Sequence, residues 1–207
     1  MTYRLAIFDL DGTLADSFPW FLRIVNSVAD KHRFRRIEPD EVEALRGKGS
    51  RELVRHLQVP MWRMPLIARD VRRMKSAGLD DIRLFEGVDD MLRRVAGRGV
   101  VCALVSSDSE DNVRRSLGPS ARSISHFACG ASLFGKAKKF VKVMRMAGIS
   151  PAQTIAIGDE VRDAEAASKA GIAFGAVSWG YASTDALRGT RPALVFSRME
   201  EIAERLG

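Results

Sequence analysis

The chain has 207 residues, 46% of them hydrophobic, which excludes a disordered chain and suits one large domain or a core with a smaller insert. No apolar run approaches the roughly 20 residues that span a bilayer, and Asp9 and Asp11 interrupt the N-terminus before a signal-peptide h-region can form, so a cytoplasmic protein without a membrane partner is expected. The net charge of +7 is concentrated in residues 17–83, which hold 15 Lys and Arg against 9 Asp and Glu; this suits either solvated helix faces or attraction of an anionic substrate, and without basic–aromatic interleaving, zinc-finger spacing or a basic tail no nucleic-acid partner is expected.

The first predicted strand runs from Arg4 to Phe8 and leads directly into Asp9-Leu10-Asp11-Gly12-Thr13. Asp9 and Asp11 lie two positions apart, so both can point the same way at the strand end before Gly12 breaks the pleat. Two carboxylates facing one spot repel unless a cation neutralises them or one is protonated, and both conditions suit phosphoryl chemistry. A plain Asp-Gly turn is the alternative reading of the run alone.

Residues from about Phe18 to about Ile82 read as consecutive helices without a convincing strand. Phe18, Phe21, Leu22, Val25 and Val28 follow helical spacing, Pro39 fits an early helical position, Ser50 is expected to cap Arg51 to Leu57, and Gly78 is expected to end Leu66 to Ala77. The linkers of this helical insert are Ala15-Asp16-Ser17 and Arg83-Leu84-Phe85-Glu86-Gly87. The domain division is therefore 1–17 with 83–207 as an α/β core, and 18–82 as the insert.

Further strands are predicted at Val100 to Val105, Thr154 to Ile157, Phe174 to Val177 and Ala193 to Phe196. Helical patterns between them stop at Gly97, Gly148 and Gly171, where a left-handed cap is wanted. The alternation implies parallel strands in a doubly wound α/β sheet, with both faces of Val100 to Val105 covered. Cys102 and Cys129 lie in apolar runs and read as small core residues, while His32, His56 and His126 show no ligand spacing.

In such a sheet, ligands bind beyond the carboxyl ends of the strands. Asp9 and Asp11 follow the first strand, Ser106 and Ser107 follow Val105, and Gly158-Asp159-Glu160-Val161-Arg162-Asp163 follows Ile157. Lys136, in Phe134-Gly135-Lys136, opens a helix near the same edge, where its charge adds to the positive helix end; Lys138 and Lys139 compete with it, as Ser107 competes with Ser106. Taken singly, Asp159 to Asp163 also reads as an acidic first helical turn.

These four segments, in this order, resemble the four motifs of the haloacid dehalogenase superfamily, and the helical stretch after the first motif is similar to that family's cap. The resemblance covers essentially the whole chain and implies a Rossmann-like core with a small all-α cap inserted after the first strand. It also implies roles: Asp9 as nucleophile forming an aspartyl-phosphate, Asp11 as acid and base, Ser106 and Lys136 as phosphoryl ligands, and Mg²⁺ bound by Asp9, the Asp11 carbonyl and Asp159, with Asp163 and Glu160 behind them. An acid at Asp11 points to phosphate rather than halide as the leaving chemistry, since halide departs without a proton.

Specificity is expected in the insert, where Arg46-Gly47-Lys48-Gly49-Ser50 joins two predicted helices and Arg46 and Lys48 are candidate ligands for an anion; an ordinary Gly-rich connection is the alternative. With Ser178-Trp179-Gly180-Tyr181 after a late strand, the plan is similar to the phosphoglycolate phosphatase-like branch, which implies a small phosphorylated substrate. A phosphomutase of the same family and a non-catalytic protein binding a phospho-ligand or acidic partner are the alternative functions.

Overall fold

A computed structural model describes residues 3–130 and 135–206, which leaves Phe134 outside the described residues. Six parallel strands form one sheet: β1 (Leu5–Phe8), β2 (Val101–Val105), β3 (His126–Ala128), β4 (Thr154–Gly158), β5 (Ala173–Val177) and β6 (Leu194–Phe196). Their order is β3-β2-β1-β4-β5-β6, with Leu5 opposite both Val101 and Thr154. The chain works outward from β1 to β3 and then restarts beside β1 with β4, so the strand order reverses between β1 and β4. That reversal opens a crevice at their carboxyl ends.

Ten α-helices are described: α1 (Phe18–His32), α2 (Val42–Arg46), α3 (Ser50–His56), α4 (Met64–Ala77), α5 (Val88–Gly97), α6 (Glu110–Leu117), α7 (Lys136–Ala147), α8 (Val161–Ala170), α9 (Thr184–Gly189) and α10 (Met199–Arg205). Alternation along β1 divides the core. Leu5 and Ile7 join Phe140 and Val143 of α7 and Ala167 of α8 on one face, while Ala6 and Phe8 join Leu92 of α5 and Ile202 of α10 on the other. Helices thus cover both faces, which is why the central strands carry uninterrupted apolar residues.

Helices α1 to α4 contribute no strand to the sheet; Val25 of α1, Leu45 of α2, Ile37 and Leu57 form a smaller apolar cluster, while Val71 and Met74 of α4 pack against the larger core. The two connections to this insert run side by side: Ala15 bridges Leu84 in antiparallel fashion, Asp16 N–H donates to the Arg83 carbonyl at 2.8 Å, and Phe85 N–H to that of Leu14 at 2.9 Å. Among the described residues, no helix is long and apolar enough to cross a membrane.

Several local expectations need correction. β3 was not foreseen, because three residues at a sheet edge, two of them half-buried, are too few to show a period. Gly49 rather than Ser50 precedes α3, and Ser50, its first helical residue, turns its hydroxyl toward Glu160 at 3.5 Å. Gly148 and Gly171 take the expected left-handed caps, but Gly97 stays helical and the turn falls to Gly99, at φ +80°. Gly78 closes α4 with φ −109°, outside the left-handed region.

Candidate active site

The first strand ends on Asp9, whose N–H donates to the Ile157 carbonyl at 3.0 Å, so the residue is still registered against β4 as the chain leaves the sheet. Leu10 N–H donates to Asp9 Oδ1 at 2.8 Å, and Gly12, at φ +73°, then turns the loop so that its N–H reaches the Ala15 carbonyl. Lys136 Nζ donates to Asp9 Oδ2 and to Asp163 Oδ1, the latter at 2.5 Å. Asp163 is held in turn by Glu160 N–H, 3.1 Å from Oδ2. Of the three lysines competing for this place from sequence, Lys138 is exposed, and Lys139 caps the Ser106 carbonyl at 2.6 Å and that of Gly130.

Burial pushes the Asp9 carboxyl up to about 6; Lys136 opposes this and Asp163 adds to it. For Lys136, burial pulls the ammonium down, yet the nearby Asp163 and Asp9 outweigh burial and hold its pKa above the usual lysine range. The pair is thus a carboxylate and an ammonium that need one another in a dry site.

Asp159 has no exposed surface and, among the described residues, accepts from neutral donors, Thr13 Oγ1 at 2.8 Å on Oδ1 and Tyr181 N–H at 2.8 Å on Oδ2. Burial, then Glu160, Asp163 and Asp9, push its carboxyl well above the ordinary range. Oxygens of Asp9, Asp159 and Asp163 lie within 4.8 Å of one another. Among the described residues, Lys136 and the half-buried Arg162 guanidinium are the cations beside these three carboxylates and Glu160, so the group is short of positive charge, and its all-oxygen donors suit a hard divalent ion such as Mg²⁺. The Asp11 carboxylate stands outside this group.

Glycines make the packing around the carboxylates possible. A Cβ on Gly12 or Gly180 would lie 2.2 Å from an atom of Asp159, and one on Gly158 would lie 2.4 Å from Asp163 Oδ2. Here the missing side chains serve close approach.

The β2 rim delivers Ser106, almost fully buried, whose Oγ accepts the N–H of Asp108 at 3.1 Å; Ser107 is half-buried beside it. Asp108 escaped the sequence reading. Its Oδ1 is fixed by Ser109 N–H at 2.7 Å and Asn112 Nδ2 at 3.0 Å, while Oδ2 faces Lys75 Nζ at 2.9 Å. Lys75 projects from α4 in the insert and also donates to both Asp11 oxygens, at 2.6 and 2.8 Å. Burial pulls the Lys75 ammonium down, but Asp11 and Asp108 more than reverse this.

Arg46 donates through Nε to the Tyr181 carbonyl at 3.0 Å and through Nη2 to the Gly180 carbonyl at 2.9 Å, and Nη1 pairs with Glu43. Lys48 pairs with Glu52 at 2.9 Å. Both line a cavity of about 70 Å³ with Glu160, Val161 and Tyr181, where insert meets core. The guanidinium is therefore engaged by the core backbone, unlike the anion ligand expected of it. Glu160 pairs with Arg162. Lys75 and Asp108 had gone unremarked, and Thr13 and Tyr181 were named only as members of their segments: Lys75 is one of many helical cations, and Asp108 lies two residues beyond the expected hydroxyl.

A doubly wound sheet with a buried carboxylate cluster at the reversal of strand order has the layout of an α/β enzyme site. Comparison with known proteins agrees. The family model of haloacid dehalogenase-like hydrolases matches residues 6–177, and the chain belongs to that family. It is 32% identical over 177 residues to the phosphoglycolate phosphatase of Synechococcus elongatus, covering 84% of each, and 30% identical over 219 residues to phosphoglycolate phosphatase 1 of Pseudomonas aeruginosa, covering 96% of this chain and 78% of that one. In fold it matches a haloacid dehalogenase-like family hydrolase from Streptococcus pneumoniae with TM-score 0.81 at 17% identity, over 99% of both chains.

Proposed function

We propose that the protein is a cytoplasmic, Mg²⁺-dependent phosphomonoester hydrolase that acts on a small phosphorylated metabolite of the phosphoglycolate kind through an aspartyl-phosphate. The observation that carries the reading is Asp9, a buried carboxylate at the reversal of strand order, held by Lys136 and set two residues before a second carboxylate. An Asp9 oxygen attacks phosphorus and the ester P–O bond breaks. Asp11 gives its proton to the departing alkoxide and then takes one from the water that attacks the aspartyl-phosphate, releasing phosphate and restoring Asp9. Ser106, with Ser107 beside it, donates to phosphoryl oxygens, and Lys136 holds positive charge against both the phosphoryl group and the nucleophile.

The clustering of the Asp9, Asp159 and Asp163 carboxylates supports Mg²⁺ there, which Asp9, Asp159 and the Asp11 carbonyl would hold, and the bound ion would add positive charge against the phosphoryl oxygens. Asp163 positions Lys136 through the 2.5 Å contact, and Glu160 holds Asp163 through its backbone N–H. Residues 18–82 act as a cap that excludes water, with Arg46 fastening it to the Gly180 and Tyr181 carbonyls.

The test is phosphate release from an aryl phosphate and a panel of small phosphate esters, with Mg²⁺ and with chelator, for wild type and Asp9→Asn. The expected result is Mg²⁺-dependent turnover by wild type alone. Full activity in Asp9→Asn, or none in wild type on any ester, overturns the proposal.

A further inference from the structure

Lys75 is the one lysine of the insert described here as buried, with 4% of its surface exposed, and it reaches the core from α4. Its ammonium touches three oxygens, both of Asp11 and Oδ2 of Asp108. Taking a lysine out of water to that depth is costly unless its partners are fixed. Asp108 is such a partner, pinned by Ser109 N–H and Asn112 Nδ2 and facing Lys75 with its free oxygen. Asp11 is different, since its side chain remains 25% exposed and, on the proposed function, must turn to the ester oxygen during the reaction.

We infer that Lys75 selects the leaving group: when Asp11 turns to the ester oxygen, Lys75 stays anchored on Asp108 and takes a carboxylate of the substrate in place of that of Asp11. The inference rests on Asp11 being the residue that meets the leaving oxygen. Asp11 takes up a proton from solvent as it turns to the ester oxygen, and a carboxylate on the leaving group replaces the charge thus withdrawn and keeps the buried ammonium fully paired. A neutral one leaves it half-paired in a dry site, and selection arises from that penalty as much as from attraction.

Geometry also limits the length of the leaving group. The ammonium lies 2.6 Å from Asp11, one hydrogen bond from the group that meets the ester oxygen. A carboxylate borne directly on the ester carbon is placed to meet it. One carried farther along the chain overshoots, as does a second phosphate on a sugar. Substrates are therefore short esters with the carboxylate adjacent to the phosphorylated carbon.

The test uses binding and needs no turnover. Calorimetry with Mg²⁺ compares 3-phosphonopropionate, in which a methylene replaces the ester oxygen and a carboxylate follows, with propylphosphonate, which lacks the charge. Wild type should bind the carboxylated compound about tenfold or more tightly, a charged hydrogen bond's effect, and 4-phosphonobutyrate should lose most of that advantage. Lys75→Arg should keep the preference and Lys75→Gln abolish it. Because Lys75→Gln leaves two buried carboxylates unopposed, the double variant Lys75→Gln with Asp108→Asn serves as a second probe and should also show a ratio near one. Equal affinities in wild type, or a preference that survives in the double variant, overturn the inference. An inactive protein that still shows the preference overturns only the hydrolase reading.

Discussion

Gly180→Ala is expected to damage the site although Gly180 touches no substrate. An added Cβ would stand 2.2 Å from Asp159 Cβ, 2.4 Å from Oδ2 and 2.5 Å from Cγ, against an ordinary contact of roughly 3.5–4 Å. Asp159 has no exposed surface and is pinned by Thr13 Oγ1 and Tyr181 N–H, each at 2.8 Å, so relief requires more than about 1 Å of movement and the loss of at least one of those bonds. Overpacking of this kind costs about 1–3 kcal/mol, which at about 2–4 °C per kcal/mol for a chain of this size lowers Tm by about 2–12 °C. A carboxylate displaced by about 1 Å costs on the order of 100-fold in kcat/KM, with a higher Mg²⁺ concentration for half-activity. Phosphate release against Mg²⁺ concentration, with thermal melts, measures both. Gly97→Ala is the control, since Gly97 is helical with nothing within 4 Å of the new methyl, and it should leave activity unchanged while raising Tm slightly. A Gly180→Ala protein with wild-type Mg²⁺ dependence and turnover would refute the steric argument.

Other outcomes follow from the same geometry. Burial raises the Asp9 carboxyl from 3.8 to about 6, so between those values the metal-free fold holds a proton that the unfolded chain has lost, and this group's contribution to stability falls as pH rises through that window. Asp9→Asn should therefore gain about 2 kcal/mol on wild type between pH 4 and pH 6, as read from metal-free urea melts; a constant difference would exclude the effect. Burial pushes the Cys102 thiol up to about 12 and the Cys129 thiol up to about 11, so neither should react with a thiol reagent at pH 8 until the protein is unfolded, when both are labelled. Arg46→Lys keeps the charge but cannot reach the Gly180 and Tyr181 carbonyls together, and it should raise KM several-fold with little loss of kcat in steady-state assays; unchanged KM would deny Arg46 a part in holding the insert closed.

The strands were legible because helices on both faces leave β1, β2 and β4 almost wholly apolar, and the glycines at 148 and 171 mark helix ends by a conformation that other residues avoid. Asp9, Lys136 and Asp159 could be picked out because each follows a strand or opens a helix at one edge. Lys75 could not, since its position in α4 is ordinary for a cation and only the docking of the insert brings it to Asp11. For Arg46 the residue type was suggestive and the partner was not, because carbonyls of a distant turn carry no sequence signal. Asp163 was expected behind the metal ligands, orienting metal-bound water or Lys136, and folding also brings its carboxylate into the cluster with Asp9 and Asp159.

The covalent step is the centre of the account and can be caught directly. Asp11→Asn should still accept an aryl phosphate, whose leaving group needs no proton, but should be slow to discharge the aspartyl-phosphate because the attacking water has lost its base. Mass spectrometry of the acid-quenched Asp11→Asn protein should then find one phosphoryl group, mapped to Asp9. A protein that turns over the aryl phosphate without any phosphoryl group on Asp9, or carries it on another residue, would contradict the account.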